Sequence, residues 1–117
     1  MKILIVDDSK TSRLLFKAYM PKNEPHQVFE AANLSDALDI LREVRPELLV
    51  LDYNMPEYNG VEMAQVILRA GFKPKMALLT ANTQRMVVDA AMAAGFLQVL
   101  EKPVNAEKID ALLKQVA

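Results

Sequence analysis

Five short apolar runs, each followed by a stretch of helical periodicity, set the limits on what this chain folds into. The runs are "KILIV" (2–6), "HQVFEA" (26–31), "ELLVL" (47–51), "KMALLT" (75–80) and "LQVL" (97–100). All have strand length, and the first, third and fourth are nearly unbroken in apolar residues, as strands covered on both faces are. Between them the spacing is helical. Residues 35–45 carry Ala37, Leu38, Leu41 and Val44, with Asn33 or Ser35 as the cap and Pro46 as the stop. In the last helix Asn105 is the cap and Val104 and Ile109 hold hydrophobic-staple positions, while Ile109, Leu112, Leu113 and Val116 form one stripe. Gly71 and Gly95 stand where two other helices close. Strict alternation of five strands and five helices predicts an α/β fold. Its core is a single five-stranded parallel sheet, doubly wound with helices on both faces, because parallel neighbours need right-handed crossovers.

At 117 residues the chain is one domain, 1–117, large enough for a core without staples. An apolar share of 52% excludes disorder. The net charge of −1 argues against nucleic acid or an anionic membrane as a direct partner, since both demand a basic face. With no cysteine there are no disulfides, thiolate metal sites or thiol nucleophiles. No apolar run approaches the ~20 residues that span a bilayer. The first one, "ILIV", stops at two aspartates and is no signal peptide. A cytoplasmic location is expected. The chain starts on a strand and stops at a helix end, so a whole small protein or a piece cut cleanly from a larger one is expected.

Open parallel sheets bind ligands beyond the carboxyl ends of their strands. After the first strand come Asp7 and Asp8; after the third, Asp52 and then Asn54; the fourth ends in Thr80; Lys102 and Pro103 follow the fifth. Each has a plain alternative. "DDS" (7–9) can cap a helix, Asp52 can start a turn that Asn54 and Pro56 complete, Thr80 can merely end a strand, and Lys102 can be solvated. Together they are harder to dismiss. Adjacent strands lie ~4.8 Å apart, so acids at their ends come within contact range. Two carboxylates at ~4 Å repel by about 4 kcal/mol at an effective dielectric near 20. Three unpaired ones rival the whole stability of many small domains. Either some stay protonated or a cation sits among them. Oxygen donors without histidine or cysteine favour a hard divalent ion such as magnesium, which leaves room for phosphate oxygens. A lysine and a threonine hydroxyl complete a pocket of phosphoryl size.

The segments "VDDS" (6–9), "LDYNMPEYNG" (51–60), "LLTA" (78–81) and "EKP" (101–103), in this order and spacing, carry a resemblance. Over residues 1–117 the chain is similar to response-regulator receiver domains of the CheY-like type, which have a flavodoxin-like fold. The resemblance implies that Asp52 is the phosphoacceptor and also a metal ligand. Asp8 is then the direct ligand, Asp7 the acid that holds metal-bound water, and the backbone carbonyl of Asn54 a further ligand, for magnesium or manganese. Lys102 would pair with the Asp52 carboxylate and then with the phosphoryl group, through a bond to Pro103 that is typically cis in the family. Thr80 resembles the hydroxyl that moves in on the phosphoryl oxygen. The donor would be a sensor histidine kinase or a phosphotransfer protein. The chain would be a signalling switch, catalysing only its own phosphoryl transfer and dephosphorylation.

One position departs from the family pattern. Where many receivers carry an aromatic residue three places before the lysine, Val99 stands here. Activation is therefore expected to shift the loop after Thr80 and the fourth helix without a rotamer change at 99. In that helix, roughly 83–94, Arg85 and Asp89 can pair, and the phase expects Val88, Ala91 and Met92 to face inward. Met86, Ala90 and Ala93 then face outward without a charge. With Ala81, Asn82 and Val99 they form an expected partner surface shared with the fifth strand and last helix. It would serve a downstream target protein or a phosphorylation-dependent dimer of an otherwise monomeric chain. His26, the only histidine, is expected to be structural or exposed, so the phosphoryl group comes from outside. Asn54 and Asn82 hold positions that tune access of water to the acyl phosphate in the family.

Other readings stay open. The chain can be a phosphorelay intermediate that returns the group to a histidine, or a receiver from a larger DNA-binding or enzymatic regulator. An aspartate-based phosphatase of the haloacid-dehalogenase type is disfavoured, because Asn54 stands where its second acid belongs. A flavodoxin-like cofactor carrier is disfavoured too, since three glycines provide no phosphate-cradling loop.

Overall fold

Burial follows the apolar runs. The computed structural model describes residues 1–81 and 83–117. Along the chain alternate β1 (Lys2–Val6), α1 (Lys10–Ala18), β2 (Gln27–Ala31), α2 (Leu34–Val44), β3 (Leu48–Asp52), α3 (Gly60–Arg69), β4 (Lys75–Thr80), α4 (Arg85–Ala93), β5 (Gln98–Glu101) and α5 (Ala106–Val116). The strands form one parallel sheet in the order β2-β1-β3-β4-β5. The three unbroken apolar runs are its three central strands. The edge strands β2 and β5 are only partly buried, which matches their mixed sequences.

The period of two divides each central strand between two cores. Leu4, Val6, Leu49, Leu51, Met76 and Leu78 face α2, α3 and α4. Ile3, Ile5, Leu48, Val50, Ala77 and Leu79 face α1 and α5. Asp7 continues the parity of Ile3 and Ile5, and Asp52 that of Leu48 and Val50. Both acids are thereby set on the side of α1 and α5.

The helix ends are chemically marked. Ser9, Asn33, Asn59 and Asn105 accept from backbone N–H groups three residues on. Asn59 and Glu62 complete a reciprocal capping box, a pattern legible in "NGVE". Gly71 and Gly95 follow α3 and α4 with φ of 97° and 99°. Several strand boundaries move by one residue from the sequence expectation, among them the start of β3 at Leu48 and both ends of β5. β2 starts at Gln27 rather than His26, and β3 extends to Asp52 itself. Sheet pairing carries β3 that far, because Asp52 is in register with Leu79 of β4. His26 is half-buried, with Nε2 2.6 Å from a Glu24 carboxylate oxygen, a local structural contact.

One expectation is corrected. Met92 is 54% exposed, and the inward residues of α4 are Val87 and Ala91, with Val88 half-buried. At 3.6 residues per turn Met92 lies about 100° round from Ala91, beyond the stripe that reaches the core.

Gly60 opens α3 directly behind the end of β3. A Cβ there would lie 2.6 Å from Leu78 Cδ1 and 2.7 Å from the Asp52 carbonyl oxygen. Gly60→Ala is therefore expected to destabilise the protein by about 2 kcal/mol through overpacking against backbone. Urea denaturation checks this; an unchanged midpoint would mean that the loop before α3 gives way freely.

Candidate functional site

The carboxyl edge of the sheet gathers the residues that follow β1, β3, β4 and β5. Asp7 is fully buried and Asp52 nearly so, while Asp8 is exposed. Oxygens of the three carboxylates lie within 4.8 Å of one another. Lys102 enters from β5 and places its Nζ 3.0 Å from Asp52 Oδ1 and 3.1 Å from Asp7 Oδ2. One ammonium thus serves two buried acids, each one residue beyond the registered pair Val6 and Leu51 of adjacent strands.

The backbone around these groups is well held. Asp7 Oδ1 accepts from the Ser9 N–H at 2.9 Å, so the cap of α1 and the acid cluster share a turn. The Tyr53 N–H donates to Leu79 O at 2.8 Å, and the Gly60 N–H to Tyr53 O at 3.0 Å, fixing both ends of the loop after Asp52. The Lys102 N–H donates to Thr80 O at 2.9 Å. The Lys102–Pro103 peptide is cis, and Lys108 Nζ donates to the carbonyls of Glu101 at 3.0 Å and Pro103 at 3.1 Å. Lysine 102 is therefore delivered from a segment clamped on both sides.

Burial and charge act together on Asp52 and Lys102. Burial pushes the Asp52 carboxyl above the usual aspartate range, and the nearby Asp7 charge adds to it, against hydrogen bonds from Lys102 and the Asn54 N–H. Burial also disfavours the Lys102 ammonium, but its bonds to Asp52 and Asp7 outweigh that and hold its pKa above the usual lysine range. The donor set is oxygen only and carries excess negative charge after Lys102 is counted. That fits a hard divalent cation and not zinc.

Thr80 is buried at the end of β4, on the opposite parity from Asp52, and Ala81 beyond it is exposed. Asn54 is exposed in the loop after β3. On α4, Met86 is 83% exposed, Ala90 and Ala93 are exposed, and Val99 on β5 is half-buried against the core under α2 to α4. Asn82 lies outside the described residues. Sequence reasoning missed Arg13 and Glu30, which pair at 3.0 Å beside the acid cluster. A half-polar strand residue and a helix residue seventeen positions apart carry no local signal of this contact.

The family model of the response regulator receiver domain matches residues 3–114. Among curated proteins the chain is similar to the probable chemotaxis protein CheY of Rhizobium etli, with 33% identity covering 99% of this chain and 92% of that protein. It is also similar to sporulation initiation phosphotransferase F of Bacillus subtilis, with 32% identity over 97% of this chain and 91% of the other. Among solved structures, the chemotaxis protein CheY4 of Vibrio cholerae superposes with a TM-score of 0.87 at 28% identity, covering 99% and 98% of the two chains.

Proposed function

The chain belongs to the response-regulator receiver domain family, and on that premise we propose that residues 1–117 form one receiver unit that takes up a phosphoryl group on Asp52 and signals by changing shape. The observation that carries this reading is the shared ammonium of Lys102, 3.0 Å from Asp52 and 3.1 Å from Asp7, beside a third acid. An oxygen of the Asp52 carboxylate attacks phosphorus of a phosphohistidine on a sensor kinase or phosphotransfer protein. The new P–O bond forms as the P–N bond breaks, and the imidazole nitrogen leaves with the electron pair. The protein needs to do little beyond positioning and charge neutralisation. Lys102 faces the charge that develops on the phosphoryl oxygens, and the Thr80 hydroxyl bonds one of them once the group is in place. Asp8, Asp52 and the backbone carbonyl of Asn54, with Asp7 behind them, would hold magnesium or manganese. Such an ion supplies positive charge against the phosphoryl oxygens when bound.

The acyl phosphate adds about two negative charges at a rigid strand end. Thr80 and the segment that follows it respond, and the exposed surface of Ala81, Met86, Ala90 and Ala93, with the half-buried Val99, passes the change to a target protein or a second copy. Binding of that partner is expected to fall at least tenfold in Met86→Lys and Ala90→Glu, each of which places a charge on an apolar contact, while Tm stays unchanged. Titration of the phosphorylated protein measures it; unaltered affinity in both variants would move the interface elsewhere.

Among the described residues no helix is long and apolar enough to cross a membrane. With a net charge of −1, the reading is of a cytoplasmic signalling switch with no direct nucleic-acid contact, rather than an enzyme acting on other molecules. The test is mass spectrometry after treatment with acetyl phosphate and magnesium. One hydroxylamine-labile phosphoryl adduct, absent with chelator, supports the reading. If there is no adduct and no magnesium binding, the reading fails.

The match to a relative named as a phosphotransferase favours a second reading, a relay intermediate. Only a relay hands labelled phosphoryl back to a histidine phosphotransfer domain reversibly.

A further inference from the structure

Arg13 lies in the second turn of α1 with its side chain only 15% exposed. Its Nη1 donates to the backbone carbonyl of Asp7 at 2.7 Å, and its Nε donates to Glu30 Oε1 at 3.0 Å. Lys17 Nζ holds the other oxygen of Glu30 at 3.1 Å. Glu30 sits on β2 in register with Ile5, two residues before Asp7.

The consequence is local. The Asp7 N–H donates to Ala31 O at 3.0 Å, its carboxylate oxygens accept from the Ser9 N–H and Lys102 Nζ, and its carbonyl accepts from Arg13. Every polar atom of Asp7 is engaged. The Asp7 carbonyl belongs to the peptide plane it shares with Asp8, so the bond from Arg13 sets the direction in which the chain leaves toward Asp8. A planar guanidinium anchored at Nε by a carboxylate is held in a fixed orientation, which a free lysine in its place is not. A charge-assisted bond of 2.7 Å to a carbonyl is also at the strong end of the range.

We propose that Arg13, anchored by Glu30, is a positioning residue of the phosphoryl site: it fixes the Asp7–Asp8 peptide and so aims the acid pair at the cation and at Asp52. This rests on the receiver reading above. Groups behind a set of metal ligands typically change cation affinity by about 10- to 100-fold when removed.

The test is titration of the protein with magnesium chloride, followed through the backbone amide resonances of Asp8 and Ser9, with thermal denaturation in parallel. Arg13→Met keeps most of the apolar stem and removes both donors. It is expected to move the Asp8 amide in the metal-free protein and to weaken magnesium binding about tenfold. Arg13→Lys, which restores one donor, is expected to recover part of that loss. Lys17→Met removes an ion pair to Glu30 but no bond to Asp7, and is expected to leave the magnesium Kd within about twofold. A wild-type Kd with an unmoved Asp8 amide in Arg13→Met overturns the proposal. So does an equal loss in Lys17→Met, since mere α1–β2 pairing would then be responsible. If Arg13→Met does not fold, Glu30→Gln loosens the guanidinium without removing it, and an unchanged Kd there overturns the proposal too. Wild-type protein that binds no magnesium tells against the receiver reading instead, and the metal-free Asp8 amide still decides the positioning role.

Discussion

Asp52→Asn is expected to abolish phosphoryl uptake and, in the same protein, to make the fold more stable. The first effect follows because an amide oxygen is no nucleophile toward phosphorus, and Asp7, tied to Lys102 and Ser9, does not replace it. The second follows from the cost of the site. Burial, and then repulsion from Asp7, hold the Asp52 carboxyl above its ordinary pKa despite Lys102. An acid raised in the folded state binds more protons there than in the unfolded chain, so stability falls as pH rises from the ordinary aspartate pKa through the raised one. Above that window the penalty is fully present; below it there is none. Asparagine keeps the shape and removes the charge, leaving Lys102 its bond to Asp7. The gain is expected to be about 1 kcal/mol at neutral pH in magnesium-free buffer, part of the repulsion between two carboxylates at this range. It should shrink toward zero on acidification. Urea denaturation across pH, with phosphoryl uptake followed by mass spectrometry, reads both effects. A variant that is less stable at neutral pH would show that the Lys102 pairing outweighs the repulsion.

Lys102→Met is expected to have the opposite balance. It strands two buried acids that share one ammonium, and breaking such a pair costs about 3 kcal/mol. The loss is expected to be fullest at neutral pH without divalent cation, to shrink with magnesium chloride, and to shrink on acidification as the Asp52 carboxyl takes up a proton. In the native protein the raised Lys102 pKa works the other way. Its stabilisation is complete below the ordinary lysine pKa and is lost only as pH rises through the raised value, so an alkaline limb of the stability profile should vanish in the variant. Phosphoryl uptake is expected to slow by about 100-fold, since the charge that faces the developing phosphoryl oxygens is gone. Stopped-flow uptake from acetyl phosphate checks the rate. Uptake at the native rate would remove Lys102 from the mechanism.

Much of the candidate site is legible in the sequence because its residues occupy a repeated place. Asp7, Asp8, Asp52, Thr80 and Lys102 each follow or end an apolar run, and the carboxyl edge of a parallel sheet is where such residues meet. The cap Asn105, and Asn33 as one of two candidates with Ser35, were legible for a similar reason, because the bond each makes spans three residues. Met92 was not. The inward stripe of α4 runs through Val87 rather than Val88, and one step of about 100° carries a side chain from core to solvent. Arg13 and Glu30 were not legible either. Each looks like an ordinary surface charge until α1 folds back along β2.

The sequence by itself determined the order of elements, their type and the residues delivered to one edge, because periodicity and capping act over a few neighbours. The tertiary structure alone decided the strand order β2-β1-β3-β4-β5, which seats β1 beside β3. It alone also brought Lys102 to Asp7 across a separation of 95 residues. Strand neighbours are chosen by how helices cover both faces of the sheet, a sum over the whole core that no local pattern carries.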